Sequence, residues 1–271
     1  MTDHLIMKTL DDWVTYMASE GFSPLTVRTR LQVVRQVSYF AGRIDPAELR
    51  VEHVRSFLAS RPLATWSRLS YLQHLRAWAK YAGISDPTAG IRRPSTPRTL
   101  PDPLPEDALL QLLQHIKDEN ERCWVLLGAY AGLRAHEVAK LHPTDLTAEG
   151  LRVLGKGGRV DVIPVAPIIT RALQGRLSST AAFWPGVSPM VVSHSIKIRA
   201  DELNLRFRFH RLRHRFGTQV YRHNRDLLLT QRLMRHASPR TTAGYAALCD
   251  DDAATTVYAL PGALPEEVTE E

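Results

Sequence analysis

Four short segments of this chain carry residue types suited to phosphoryl chemistry. Gly132-Leu133-Arg134-Ala135-His136-Glu137 lies mid-chain, and His210-Arg211-Leu212-Arg213-His214 follows. Leu233-Met234-Arg235-His236 and Thr241-Thr242-Ala243-Gly244-Tyr245 come next, so arginines and histidines precede a single tyrosine. Guanidinium groups bind phosphate in a bidentate fork. Imidazoles move protons near neutral pH, and a phenol can bond covalently to phosphorus. Such a set suits cutting a DNA strand and holding the broken end, with no metal in the inventory.

Each residue also has a plainer reading. Arg134 and Glu137 are three apart where one apolar helix ends and another begins. The carboxylate can therefore orient the guanidinium, and a helix start favours a phosphate; the same spacing also describes an ordinary helix-start ion pair. His210 and Arg213 project from one helix face, with His214 four residues beyond His210. Arg206, Arg208, Arg211 and Arg215 surround them, so much of that run reads equally as an electropositive surface. Lys156 stands in Gly155-Lys156-Gly157-Gly158-Arg159, a turn of a kind that is usually inert. Its functional reading is donation of a proton to a leaving alkoxide. The Gly-x4-Gly-Lys-Ser/Thr spacing of a nucleotide-binding loop is absent. Tyr245 needs help from neighbouring cations, because a phenol of pKa about 10 is a poor nucleophile at neutral pH. Tyr258 is the rival, without basic neighbours; Tyr130 lies in an apolar helix.

The elements that must position these groups are mostly helical. Ser23-Pro24 is a helix start, after which Leu25, Val27, Leu31, Val34 and Val37 recur at roughly helical spacing. Shorter helices are expected at 9–20 and 51–59, and a longer one at 65–82 carrying Leu69, Leu72, Leu75 and Trp78. Residues 1–90 thus form a helical domain. Arg28 and Arg35 share one helix face, and Arg76 and Lys80 another; with Arg92 and Arg93 they are candidate phosphate contacts. Residues 91–104 are basic and proline-rich, the pattern of a semi-extended linker. A second domain, 105–248, opens with helices near 105–117 and 123–130. Strands near 151–154 and 160–165 flank the glycine turn, and helices return at 167–176, 190–203, 210–222, 226–235 and 239–248. The fold class is mainly α: a helical N-terminal domain, then a mostly helical domain with a small antiparallel sheet. Residues 249–271 form an acidic tail.

Composition narrows the partner. The net charge is +7, but the tail from Asp250 holds seven acidic residues and no Lys or Arg. Without those seven the body, residues 1–249, carries +14, which suits a polyanion such as nucleic acid. At 44% hydrophobic residues the chain can bury a core. No apolar run reaches the roughly 18 residues of a transmembrane helix, and the N-terminus lacks a signal-peptide layout. Cys123 and Cys249 form no metal-spaced cluster and read as buried or free thiols of a reducing cytoplasm.

The three boxes, Ala131–Glu137, His210–Thr218 and His236–Tyr245, resemble in order and spacing the tyrosine recombinase (phage integrase) family. The resemblance implies a catalytic domain of that fold at 105–248, with a core-site DNA-binding domain before the linker. It further implies that Arg134 and Arg213 clamp the scissile phosphate and that His236 completes the pocket. Lys156 would be general acid for the leaving 5′-oxygen, and His210 would assist proton transfer at Tyr245. Tyr245 would attack to give a 3′-phosphotyrosine, with Glu137 supporting the first arginine. The covalent link conserves the phosphodiester energy, so neither metal nor ATP is implied and no cofactor is expected.

The implied partners are duplex DNA with a core recombination site, three further copies of the chain in a tetramer, and an accessory directionality factor; the site of action is the cytoplasm, on the nucleoid. About 90 residues before the linker are too few for an additional arm-site domain, which points to a compact integrase or a resolution-type enzyme. The segment after Tyr245, with Leu248, Val257, Tyr258 and Leu260, would dock on a neighbouring protomer or stay disordered. One departure is plain: the family usually has Gly before the pocket histidine, and here Arg235 takes that place. It would alter the turn or add a phosphate contact. A type IB topoisomerase and a DNA-binding regulator without catalysis are the alternative readings.

Overall fold

The computed structural model describes residues 2–95, 100–155, 158–174, 176, 182–236 and 238–248. The chain divides into two compact units, 1–98 and 99–271, each with its own apolar core. Ile91 belongs to the first core and Leu104 to the second. The end residues of the expected 91–104 linker are therefore each held in the core of their own unit by a buried aliphatic side chain.

Among the described residues the first unit holds four α-helices, α1 (Thr2–Ser19), α2 (Pro24–Phe40), α3 (Val51–Ala59) and α4 (Thr65–Ala82), with a 3-10 turn at Pro46–Glu48. Ser23 caps α2, its Oγ accepting from Thr26 N at 3.3 Å. Leu10, Trp13, Val34, Val37, Phe57, Leu72, Leu75 and Trp78 close the core. Trp13 and Trp78 meet edge to face at 5.2 Å, worth about 0.5–1.5 kcal/mol beyond burial. Leu25 does not join them; it is 70% exposed. It precedes Val34 by nine residues, about two and a half turns, and so faces away from the core. Val33 is buried instead.

The second unit is built on α6 (Glu119–Tyr130), whose residues from Cys123 to Ala129 are all buried. Against it pack α8 (Pro167–Gln174), α9 (Pro189–Glu202) and α10 (His210–Asn224). Gly128 admits Leu212 and Phe209 so closely that an added Cβ would lie 2.9 Å from Leu212 Cδ1. The remaining helices are α5 (Glu106–His115), the single turn α7 (Ala135–Val138), α11 (Leu227–Leu233) and α12 (Pro239–Ala247).

A three-stranded antiparallel sheet, β1 (Leu146–Thr147), β2 (Gly150–Leu154) and β3 (Val160–Ile163), pairs Leu146 with Leu151 and Leu151 with Ile163. β1 is two residues long, too short to show an alternation in sequence. β3 stops before Pro164, which cannot donate to the ladder. Among the described residues no helix is long and apolar enough to cross a membrane.

Candidate active site

Arg134 is the cap residue of α7, with extended backbone (φ −82°, ψ 156°). Glu137 sits three residues on and reaches back: its Oε2 accepts from Arg134 N at 2.7 Å, and its Oε1 from Arg134 Nη1 at 2.8 Å. The carboxylate is fully buried, while the Arg134 side chain is 33% exposed. Gly132 lets the chain turn into this position. Its φ is +63°, and a Cβ there would meet Phe216 Cδ1 at 2.4 Å, so only glycine fits.

Arg213 comes from α10 and is completely buried. Its Nη1 donates to Gly132 O and its Nη2 to Met234 O. Glu137 Oε2 lies 3.9 Å from its Nη1, and its Nε is buried without a protein partner. Arg235 enters from the turn after α11. Its backbone takes the left-handed conformation (φ +52°) that glycine would adopt. Its side chain, 3% exposed, points inward and donates from Nη2 to Glu137 Oε2 at 2.8 Å. The turn expected of glycine is thus kept, and the cation goes to Glu137.

Three guanidiniums therefore converge on one carboxylate. Burial alone would raise the Glu137 pKa; Arg235, the Arg134 N–H, Arg213 and Arg134 outweigh it and hold the carboxyl below its usual range. Burial, then Arg134 and Arg235, pushes Arg213 down to about 9, so it remains a cation at neutral pH. His236 is pushed down to about 3 by burial and then by Arg213 and Arg134. His210, the first residue of α10, falls to about 4 through desolvation, His214 and Arg213. Both imidazoles are neutral at pH 7. The cluster holds an excess of positive charge that an anion would balance.

Tyr245, on α12 of the same unit, is 1% exposed. Burial pushes its phenol up to about 12, against the opposing pull of Arg213 and Arg134. Two imidazoles lie near the ring. His236 stacks nearly parallel to it at 6.2 Å. His214 Nδ1 is 3.2 Å from the hydroxyl. His210 meets His214 edge to face at 4.5 Å. The imidazole hydrogen-bonded to the phenol is that of His214, one turn beyond the residue singled out for that task.

Two supporting contacts were not singled out in the sequence. Thr242 Oγ1 lies 2.9 Å from His236 Nδ1 and orients the ring. Gly217 faces the tyrosine so closely that a Cβ would stand 2.7 Å from Tyr245 Cζ. A threonine three residues before the tyrosine and a glycine mid-helix are the only signals the chain offered for them.

The basic run 206–215 is less a surface than its composition implies. Arg215 is buried and grips Glu106 with Nε and Nη2, both at 2.9 Å, while its Nη1 donates to Ala129 O at 2.9 Å. Arg211 pairs with Asp102 at 2.9 Å. Together with Arg213, these arginines serve the interior; Arg206 and Arg208 remain exposed.

Lys156 and Cys249 lie outside the described residues, as does the tail with Val257, Tyr258 and Leu260. The hairpin that would carry Lys156 is closed by a 2.7 Å bond from Gly155 N to Arg159 O. In the first unit Arg28, Arg35, Lys80, Arg92 and Arg93 are exposed. Arg76 is engaged by Asp86 through Nε at 3.1 Å, which ties it to the loop after α4. Cys123 is a buried free thiol, pushed up to about 12 by desolvation.

A mainly helical unit with a small antiparallel sheet, bringing arginines, histidines and a tyrosine onto one spot, defines a class of DNA strand-transfer enzymes. Residues 103–251 match the Phage integrase family, and the chain belongs to that family, the tyrosine recombinases of site-specific DNA recombination. Tyrosine recombinase XerC of Mesorhizobium japonicum is 30% identical over 278 residues, covering 87% of this chain and 89% of the relative. Tyrosine recombinase XerA of Thermococcus onnurineus is 26% identical over 260 residues, covering 89% and 90%. In fold the chain is similar to the lambda integrase of a tetramer bound to a Holliday junction (TM-score 0.70, 17% identity, 86% of this chain and 77% of that one).

Proposed function

We propose that this chain cuts and rejoins duplex DNA at a core site through a 3′-phosphotyrosine on Tyr245. The observation that carries the reading is the excess of cations next to a buried phenol, all within one unit. Arg134, whose guanidinium is partly exposed, and Arg213, with its unpartnered Nε, receive the scissile phosphate; His236 completes the pocket. Glu137 holds the arginines in register. Aimed donors of this kind stabilise the charge that develops as the phenol attacks, typically by several kcal/mol. Lys156 protonates the leaving 5′-oxygen. Arg28, Arg35, Lys80, Arg92 and Arg93 of the first unit contact phosphates and set affinity rather than sequence, and Arg76 contributes less because Asp86 already binds it.

Pairing two sites requires four copies on DNA, as in the lambda integrase tetramer, with the tail 249–271 as the docking segment. An accessory factor that sets direction is compatible with this scheme, and the chain acts in the cytoplasm. The test is covalent capture. Nicked duplexes from the DNA flanking the gene are incubated with the chain, denatured and resolved. The parent leaves protein attached to DNA, and Tyr245→Phe leaves none while binding is retained. A Tyr245→Phe chain that still forms the adduct overturns the reading.

A further inference from the structure

A phenol held near pKa 12 can attack phosphorus at neutral pH only if its proton has somewhere to go as the bond forms. The acceptor must touch the hydroxyl. His236 lies nearly parallel to the ring with its centroid 6.2 Å away, and its Nδ1 is bound to Thr242. His210 packs against His214. His214 Nδ1 is the nitrogen at hydrogen-bond distance, 3.2 Å from Tyr245 Oη.

We propose that His214 is a further catalytic residue, the base that takes the Tyr245 proton. The inference rests on the proposed reading of Tyr245 as nucleophile. With its own proton on Nε2, the imidazole offers Nδ1 to the phenol. As Oη–P forms, the Oη–H bond breaks and the proton moves to Nδ1. The P–O5′ bond breaks, and O5′ takes a proton from Lys156. In rejoining, O5′ attacks, Lys156 recovers its proton, and His214 returns one to Oη as the phosphotyrosine bond opens. His214 must be neutral to begin, and burial lowers its pKa, with Asp102 opposing and Arg213 and Arg211 assisting. The groups facing it are thus His210, Arg211 and Arg213 on α10, Asp102 before α5, and Tyr245 on α12, with His236 beyond the phenol.

The experiment measures single-turnover adduct formation on the nicked flanking duplexes from pH 4 to 9, at saturating chain, so that the range reaches well below the ordinary imidazole value. The parent rate rises as His214 loses its proton and then levels. His214→Gln keeps a hydrogen-bonding group but cannot accept the proton; its plateau falls by about 10²–10⁴-fold and the acid limb disappears, with DNA affinity unchanged. His210→Gln keeps the limb. Should His214→Gln fold poorly, added imidazole with His214→Ala provides the second measurement: the rate recovers along the titration of free imidazole. A His214→Gln chain with the parent rate and limb overturns the proposal, as does loss of the limb in His210→Gln alone. Tyr245→Phe in the same assay separates the two ideas, since an adduct surviving there removes the nucleophile assignment and this proposal with it. An adduct lost there but undiminished in His214→Gln removes only the role of His214.

Discussion

Glu137 and Arg235 should prove energetically inseparable. Both side chains are essentially excluded from solvent and meet at 2.8 Å. Removing one partner of a buried ion pair costs about 3–5 kcal/mol, because the other charge is stranded. Glu137→Gln strands Arg235 and should fall in that range; the Arg134 bond adds little, since that guanidinium is partly in water. Arg235→Gly removes the same pair from the other side. It also relieves the left-handed backbone at φ +52°, returning about 1–2 kcal/mol, so its net cost should be about 2–3 kcal/mol. Summed, the single changes predict roughly 5–8 kcal/mol. The double variant, in which neither charge is left facing the other's absence, should lose only about 3–5 kcal/mol. The difference is a coupling of about 2–3 kcal/mol, at the upper end for contacting residues. Urea unfolding of the full chain, followed by helical circular dichroism at constant m-value, measures all four corners of the cycle. Additivity to within about 0.5 kcal/mol would refute the claim that one carboxylate organises the cluster.

Two further outcomes follow from the same geometry. Gly217→Ala places a Cβ 2.7 Å from Tyr245 Cζ and 3.0 Å from Met234 Cε. It should cost about 1–3 kcal/mol and slow covalent capture about 10²-fold through a displaced phenol, with DNA affinity unchanged in a gel-shift assay. Acid should weaken the fold earlier than carboxylate titration explains. His236 and His210 titrate near 3 and 4 when folded but near 6.5 when unfolded, so the unfolded chain binds protons that the native one refuses. Their contribution is complete above about pH 6.5 and declines as pH falls toward those folded values. Urea midpoints at pH 7.5, 6 and 5 should decrease in that order, and His236→Gln should flatten the decline.

Much of the architecture was legible because helices announce themselves by period. Ser23-Pro24 and the 3–4 spacing of Leu72, Leu75 and Trp78 place α2 and α4 to within a residue or two. The first arginine, the His-Arg pair and the tyrosine could be read from type and order. What could not be read depends on contacts between distant segments. Arg235 appeared as a misplaced glycine; its partner is Glu137, 98 residues earlier, and no local rule connects them. His214 and His210 are equivalent by spacing, and only the placement of α12 against α10 decides which imidazole meets the phenol. The arginines of 206–215 looked like surface because basic side chains usually are; Glu106, Asp102 and five backbone carbonyls draw Arg211, Arg213 and Arg215 inward. Leu25 shows the opposite error, an apolar residue assigned to a face half a turn away.

The path by which the chain enters its second unit has a mechanical consequence. Pro101 is pressed against Gly244, where a methyl group would come within 2.8 Å of Pro101 Cδ. Asp102 and the Pro103 carbonyl are fastened to Arg211, and Leu104 N donates to Arg211 O at 3.2 Å. Residues 101–104 thus rest on α12, which carries Tyr245, and on α10, which carries His210 and His214. The segment that opens the second unit is thus held at both ends of its short run, so a change at Pro101 bears on the residue preceding Tyr245.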